Sequence, residues 1–192
     1  MRQLTALLPL LLLAAAPAHA EVVASTDSDF ATRAEADILA DPFAVWAALI
    51  VPAKWWNAAH TWTGKSANLY IDSQATGCFC ELLPAPEGAP EGIRRGSVEH
   101  LHIVAAMPGK LLRLTGGLGP LQAEPVRGVL TITLKPGEAG ATHVTFDYKV
   151  GGLMTLKGGE IAPEVDRVLS EQLAGLAGHF SGPAAAGAPS VE

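Results

Sequence analysis

Two cysteines and two histidines with the same spacing are the residues of this sequence best suited to bind a metal ion. Cys78 and Cys80 stand two positions apart, and so do His100 and His102. Residues two apart on a strand share a face, so in a hairpin centred on Pro90 each cysteine would oppose a histidine, Cys80 with His100 and Cys78 with His102. Thiolate and imidazole ligands suit zinc. A one-residue slip in register would separate them. We therefore predict no resident metal and no cofactor, and these four residues are the candidates if a metal is bound.

The two cysteines have two other possible states. They could form a disulfide in an oxidising compartment, although positions two apart on an extended strand are near the upper limit of Cα separation for that bond. They could also remain buried free thiols. The sequence favours free thiols, with the disulfide between Cys78 and Cys80 as the alternative.

Acid or base catalysis needs a titratable side chain inside a cavity. Tyr148 alternates onto the inner face of a predicted strand, and His60 follows a pair of tryptophans that could border a cavity. These two residues are the acid/base candidates, ahead of Glu99, His100 and His102. A structural role is the alternative for each of them, and the sequence favours a protein that is not an enzyme.

Charge and missing motifs exclude several classes of partner and reaction. The chain has 13 Lys and Arg against 19 Asp and Glu, a net charge of −6, and no basic cluster. Binding to nucleic acid or to an anionic membrane surface uses clustered Lys and Arg, so we predict neither. The sequence also contains no G-x-S-x-G elbow, no G-x-x-x-x-G-K-[ST] phosphate loop and no H-E-x-x-H zinc helix.

The start of the chain has the features of a secretory signal peptide. Met1 and Arg2 precede an apolar run over residues 4–16, and residues 18–20 have the small-x-small pattern of a cleavage site. The run is shorter than the roughly 20 residues that a membrane span needs. We predict a signal peptide over residues 1–20, one domain over 21–181 and a disordered tail over 182–192. The expected location is the periplasm or the medium, without stable membrane insertion.

Hydrophobic periodicity predicts one α+β domain. Strands are expected over residues 30–38, 67–72, 77–83, 93–105, 110–115, 126–135 and 141–150. Two short helices follow the first strand, one begun by Asp41 and Pro42 and one from Pro52 to about Ala59. A long helix over residues 160–180 has apolar residues at steps of three and four. The predicted order is β-α-α-β6-α, with an antiparallel sheet of about seven strands.

This order and three stretches of sequence resemble the START-related helix-grip proteins. That SRPBCC superfamily includes polyketide-cyclase-like proteins and activators of a heat-shock ATPase. The stretches are Trp55-Trp56, residues 115–121, and residues 146–152 running into the last helix; the resemblance covers roughly residues 29–180. It implies a curved antiparallel sheet around the long C-terminal helix, with an apolar cavity between them. In different members such a cavity serves small-molecule or lipid binding or catalysis, and other members make protein contacts.

The resemblance also implies which side chains border the cavity. In that superfamily the short helices lie at one end of the cavity, so the four tryptophans between positions 46 and 62 would form its mouth. Burial of these tryptophans in the core is the alternative. Inward-facing side chains of the strands, the glycine-rich loop and the long helix would line the rest. The expected set is Trp46, Trp55, Trp56, Trp62, Leu69, Ile71, Leu118, Leu130, Ile132, Phe146, Tyr148, Leu169 and Leu173.

The leading functional prediction is therefore a periplasmic binding or carrier protein for a small hydrophobic molecule or lipid. The alternative is a cofactor-independent enzyme of the cyclase or hydrolase kind that uses His60 or Tyr148. A third possibility is a protein-interaction module resembling the ATPase activators, whose protein partner the sequence does not identify.

Overall fold

A computed structural model describes residues 19–181, which form eight β-strands, two α-helices and short 3₁₀ turns. The predicted tail over residues 182–192 and the first 18 positions of the predicted signal peptide lie outside the described residues. In chain order the elements are β1 His19–Ser25, β2 Asp29–Ile38, α1 Pro42–Leu49, β3 Leu69–Ile71, β4 Cys78–Leu82, β5 Ser97–Met107, β6 Leu111–Thr115, β7 Val126–Pro136, β8 Thr142–Gly152 and α2 Gly158–His179.

The strands form one antiparallel sheet in the order β1-β2-β8-β7-β6-β5-β4-β3. The α+β class, the antiparallel sheet and the C-terminal helix are confirmed. The predicted count of about seven strands is one short, because β1 begins at the expected cleavage site, where the sequence pattern indicates no strand. It pairs with β2 and forms one edge of the sheet.

Alternating burial explains why the central strands pair in this register. Leu130 and Ile132 of β7 lie opposite Tyr148 and Phe146 of β8, and all four side chains are buried. The residues between them point to the other face and are only partly covered. One buried face and one wetter face is the pattern of an antiparallel sheet that packs on one side only.

The segment between β2 and β3 contains one true helix. Asp41 caps α1, since its Oδ1 accepts hydrogen bonds from the backbone amides of Phe43 at 2.9 Å and Ala44 at 3.2 Å. The second predicted helix is replaced by two 3₁₀ turns, Pro52–Lys54 and Ala58–His60. The side chain of Asn57 separates them by accepting from the amide of Ala59 at 3.0 Å, which starts a new turn.

Helix α2 packs against β1 and β2, with Leu169, Leu173 and Leu176 buried in the core. A second contact is made by the backbone. Gly175 faces the carbonyl oxygen of Trp55 so closely that a Cβ atom at this position would lie 2.4 Å from it. Neither helix within residues 19–181 has the length and hydropathy of a membrane span.

The two glycines near the end of α2 provide a matched test of this contact. Gly175→Ala forces backbone atoms apart, so we expect a loss of stability although alanine favours a helix by about 1 kcal/mol over glycine. A Cβ atom added at Gly178 would meet no atom within 4 Å, so Gly178→Ala is expected to raise stability by about 0.5–1 kcal/mol. Urea denaturation measures both changes. A Gly175→Ala protein as stable as the parent would show that the helix does not rest against Trp55.

Candidate functional site

A cavity with a volume of about 790 Å³ lies at one end of the fold. It lies between the N-terminal half of α2, the turns that follow α1, the inner end of β5, and the loop that joins β6 to β7. Most of the side chains around it are apolar. The lining residues are Trp56, His60, Thr61, Trp62, His100, Leu118, Gly119, Pro120, Gln122, Ala123, Ile161, Glu164, Val165, Val168 and Leu169.

The two halves of α2 explain the position of the cavity. In the C-terminal half, Leu173 and Leu176 are fully buried against other side chains. In the N-terminal half, the same apolar stripe continues through Ile161, Val165 and Val168, but these residues are only half-buried and border the cavity. The sheet therefore fills one half of the stripe and leaves the other half facing open space.

Six of the residues singled out in the sequence line this cavity: Trp56, His60, Trp62, His100, Leu118 and Leu169. Nine of the predicted lining residues do not: Trp46, Trp55, Leu69, Ile71, Leu130, Ile132, Phe146, Tyr148 and Leu173. The physical reason is close packing at the centre of the sheet. The space there that is bordered by Trp55, Ile71 and Leu130 amounts to only about 20 Å³.

The four tryptophans have different surroundings. Trp46 and Trp55 are core residues, with 7% and 8% of their surface exposed. Trp56 is half-buried and packs edge-on against Phe79, with ring centroids 4.9 Å apart. Trp62 is 64% exposed and borders the cavity from the outside. Of the four tryptophans, Trp56 and Trp62 line the cavity, and Trp46 and Trp55 do not.

A buried carboxylate–imidazole pair lies beside the cavity. Glu81 on β4 is fully buried, and its Oε2 lies 3.0 Å from Nε2 of His100 on β5. The carboxylate also accepts hydrogen bonds from the backbone amides of Trp62 at 2.9 Å and Thr63 at 2.7 Å. It therefore has three donors from two parts of the chain, as a buried charge requires. These bonds hold the segment around Trp62 against the sheet.

The pKa shifts of Glu81 and His100 determine which of the two groups holds the proton between them. Burial alone would raise the pKa of Glu81, but hydrogen bonds from Thr63, Trp62 and His100 outweigh it and leave the pKa below its ordinary value. Burial lowers the pKa of His100, and Glu81 opposes that shift only in part. At neutral pH the carboxylate is ionised and the imidazole is neutral. An ionised carboxylate can only accept, so the imidazole proton is on Nε2 and Nδ1 is an acceptor.

Sequence reasoning missed Glu81, although a signal was present. Glu81 alternates with Cys80 and shares a face of β4 with Phe79, so it occupies an inward position of an otherwise apolar strand. An acidic residue at such a position needs a buried donor. His100 reaches the inner face because the pairing of β4 with β5 contains a bulge, seen as a register shift between Phe79 and Cys80.

A second histidine pair stands at the rim of the cavity. His60 Nε2 lies 2.9 Å from Oε2 of Glu171 on α2, and both side chains are partly exposed. Hydrogen bonds from His60 and Arg167 lower the pKa of Glu171 against the opposing effect of burial. This pair links the turn after α1 to the helix and is open to water.

Tyr148 has a structural role in this arrangement. Its side chain is fully buried, its hydroxyl donates to the carbonyl of Gly116 at 2.9 Å, and it accepts from the amide of Leu118 at 3.2 Å. Burial raises the pKa of Tyr148 far above its ordinary value, so the phenol stays protonated. Tyr148 fixes the loop that carries Leu118 to the edge of the cavity, and it does not reach the cavity as the predicted acid or base would.

The predicted metal ligands do not converge. Cys78 and Cys80 form a disulfide with a Cα separation of 5.5 Å, which is an ordinary distance for this bond, so the interpretation as free thiols was wrong. Cys78 lies opposite His102 as predicted, but the bulge places Cys80 opposite Glu99. Within residues 19–181 the one group close enough to hold a metal is Cys78, Cys80 and Glu99, and its two sulfurs are bonded to each other.

The low pKa of His100 predicts how stability responds to acid. The unfolded chain takes up a proton near pH 6.5, whereas the folded chain does so only at lower pH. Stability should therefore fall as the pH drops below about 6.5, by at most about 1.4 kcal/mol per pH unit from this group. In His100→Gln, whose amide can still donate to Glu81, that part of the loss should disappear. The measurement is urea denaturation between pH 7.5 and 5.

His102→Gln is the control for this experiment, because His102 is on the same strand with 41% of its side chain exposed. It should show the pH dependence of the parent protein. If the His100→Gln and parent profiles run parallel, His100 does not titrate in a buried site.

Comparison with known proteins gives likeness of fold alone. No protein-family model matches the chain, and no curated protein matches it. Protein MLL2253 from Mesorhizobium loti superposes with a TM-score of 0.53 at 18% identity, over 79% of this chain and 96% of its own.

Two further solved structures also resemble this chain in fold. A protein from Rhizobium leguminosarum gives a TM-score of 0.55 at 16% identity, with coverage of 86% and 99%. CalU16 from Micromonospora echinospora gives 0.50 at 14% identity, with coverage of 81% and 78%. The chain thus has the α+β fold of these proteins.

Proposed function

We propose that this protein is an exported binding or carrier protein that holds a small hydrophobic molecule or lipid in the cavity beside α2. The observation that carries the proposal is the cavity of about 790 Å³ with mostly apolar walls. Small-molecule sites in proteins have volumes of roughly 300–1,000 Å³ and are lined mainly by apolar and aromatic side chains. The cavity matches that description in both size and lining.

The proposal includes membership of the START-like helix-grip group, the SRPBCC superfamily. The likeness in fold to MLL2253 and CalU16 supports it, as does the sequence resemblance over residues 29–180. In a helix-grip protein the sheet curves around the last helix. Here the N-terminal half of α2, whose apolar stripe is not filled by the sheet, supplies one wall of the cavity through Ile161, Val165 and Val168. The export signal over residues 1–20 and a periplasmic location belong to the same proposal.

Apolar contact would supply most of the binding energy. Removing apolar surface from water is worth roughly 25 cal/mol per Å², and the wall formed by α2 and by Trp56, Leu118 and Pro120 offers such surface. The partly exposed Trp62 and the loop around Gly119 stand where a ligand would enter. No basic cluster is available to hold a phosphate or nucleic acid.

A cofactor-independent enzyme is the second candidate. The observation in its favour is the hydrogen bond of 3.0 Å between His100 and Glu81 beside the cavity, since a carboxylate that orients a neutral imidazole is a common arrangement for a general base. His60, the candidate indicated by the sequence, lies at the wet rim. If the protein is an enzyme, His100 is the residue expected to move the proton.

A charge placed on the apolar wall tests the binding proposal. Val168 lines the cavity and is half-buried, so Val168→Asp should leave the fold intact but place a carboxylate against any apolar ligand. We expect binding of the neutral dye Nile red to weaken at least about tenfold, because an unpaired charge is costly to desolvate. Dye fluorescence in a protein titration gives the affinity.

Ala174→Asp is the matched control, since Ala174 is on the same helix but exposed to solvent. It should bind the dye as the parent protein does. Equal dye affinity for Val168→Asp and Ala174→Asp would mean that the dye does not occupy this cavity, and complete absence of dye binding to the parent would count against a carrier of apolar molecules.

A further inference from the structure

We infer that the cavity selects apolar molecules that carry a hydroxyl group, and that His100 accepts the hydrogen bond from that hydroxyl. This inference rests on the proposed function, because it names the class of ligand that the same cavity takes. It starts from the one buried polar side chain among the lining residues, His100, with 7% of its side chain exposed.

The acceptor is created by the partner of His100. Glu81 Oε2 accepts a hydrogen bond from Nε2–H of His100 at 3.0 Å, so the imidazole cannot turn to offer a donor to the cavity without breaking a bond to a buried carboxylate. Nδ1 has no hydrogen-bond partner within residues 19–181, and it is not among the fully buried polar atoms that lack one, which are Thr32 Oγ1, Asp166 Oδ1 and Gln172 Nε2. Nδ1 therefore keeps some accessible surface, and because His100 lines the cavity we assign this fixed acceptor to the cavity side of the ring.

Aromatic side chains packed against the face of the His100 imidazole also hold it in place. Phe79 stacks on His100 with ring centroids 4.9 Å apart, and Trp56 packs on Phe79 at the same separation. Trp56 in turn donates from Nε1 to the carbonyl of His60 at 3.1 Å. The acceptor is thus preorganised before a ligand enters, which favours a directional bond over a general polar contact.

The charges around the cavity determine which polar group of a ligand can bind at His100. The Glu81–His100 pair carries one negative charge, so a carboxylate or phosphate of the ligand placed against it would be repelled. The charge of Glu81 is already met by three hydrogen bonds, from Trp62, Thr63 and His100. The carboxylate of Glu164, which also borders the cavity, is exposed and paired with Arg167 at 3.0 Å, so an ammonium group would find no unpaired counter-charge there. An uncharged hydroxyl on an apolar body needs only the one acceptor that His100 offers.

The other polar groups around the cavity are less selective. His60 and Glu171 pair with each other, with 24% and 38% of their side chains exposed. A hydrogen bond made there competes with water and adds little net affinity. Selectivity for the hydroxyl is therefore expected to depend on His100.

Three probes of similar size separate the apolar contribution from the hydroxyl contribution. Naphthalene, 2-methoxynaphthalene and 2-naphthol are titrated into the parent protein by calorimetry at pH 7.5. We expect 2-naphthol to bind about three- to tenfold more tightly than 2-methoxynaphthalene, the range of one net hydrogen bond. In His100→Leu the two should bind within about twofold of each other, while naphthalene still binds.

His102→Leu is the control, because His102 is on the same strand but has 41% of its side chain exposed. It should keep the preference for 2-naphthol. If His100→Leu does not fold, the ring nitrogen resonances of ¹⁵N-labelled parent protein take its place: 2-naphthol should shift the Nδ1 signal of His100, and 2-methoxynaphthalene should not.

The possible failures are distinguishable. If naphthalene and 2-naphthol bind the parent equally well, or if His100→Leu keeps the preference, the hydroxyl inference is wrong while the apolar cavity stands. If none of the three probes binds, the proposed function is overturned together with this inference.

Discussion

A fully buried carboxylate has to be paired, and the pairing of Glu81 organises the end of this molecule that contains the cavity. Its two oxygens accept from the amides of Trp62 and Thr63 and from the imidazole of His100. The first two bonds attach an otherwise irregular segment to β4, and this segment becomes one wall of the cavity. The third bond fixes the tautomer of the histidine. Wall and acceptor therefore depend on the same charge.

The cavity itself follows from a mismatch between α2 and the sheet. Leu173 and Leu176 are fully buried in the core, whereas Val165 and Val168 are only half-buried and border the cavity. The loop between β6 and β7, fixed by the hydroxyl of Tyr148, closes over that end. An apolar stripe that continues beyond the packed core leaves surface that a ligand could cover.

The sequence predicted the fold better than the site. Alternation in β7 and β8 and the three- and four-residue spacing in α2 are local signals, so the class, the antiparallel sheet and the last helix followed from them. The lining of the cavity did not, because inward-facing residues such as Leu130 and Phe146 either line a cavity or fill the core according to tertiary packing. The bulge that turns His100 inward is a pairing event between strands. The acidic residue within an apolar strand, Glu81, was a further usable signal.

The most direct test of the central claim is native mass spectrometry of the protein taken from its own host and purified without detergent. The account predicts a bound molecule of a few hundred daltons, in keeping with a cavity of about 790 Å³, that is released by organic solvent and proves to be uncharged, apolar and hydroxylated. Recovery of the bare polypeptide alone, or of a molecule that is charged or lacks a hydroxyl group, would contradict it.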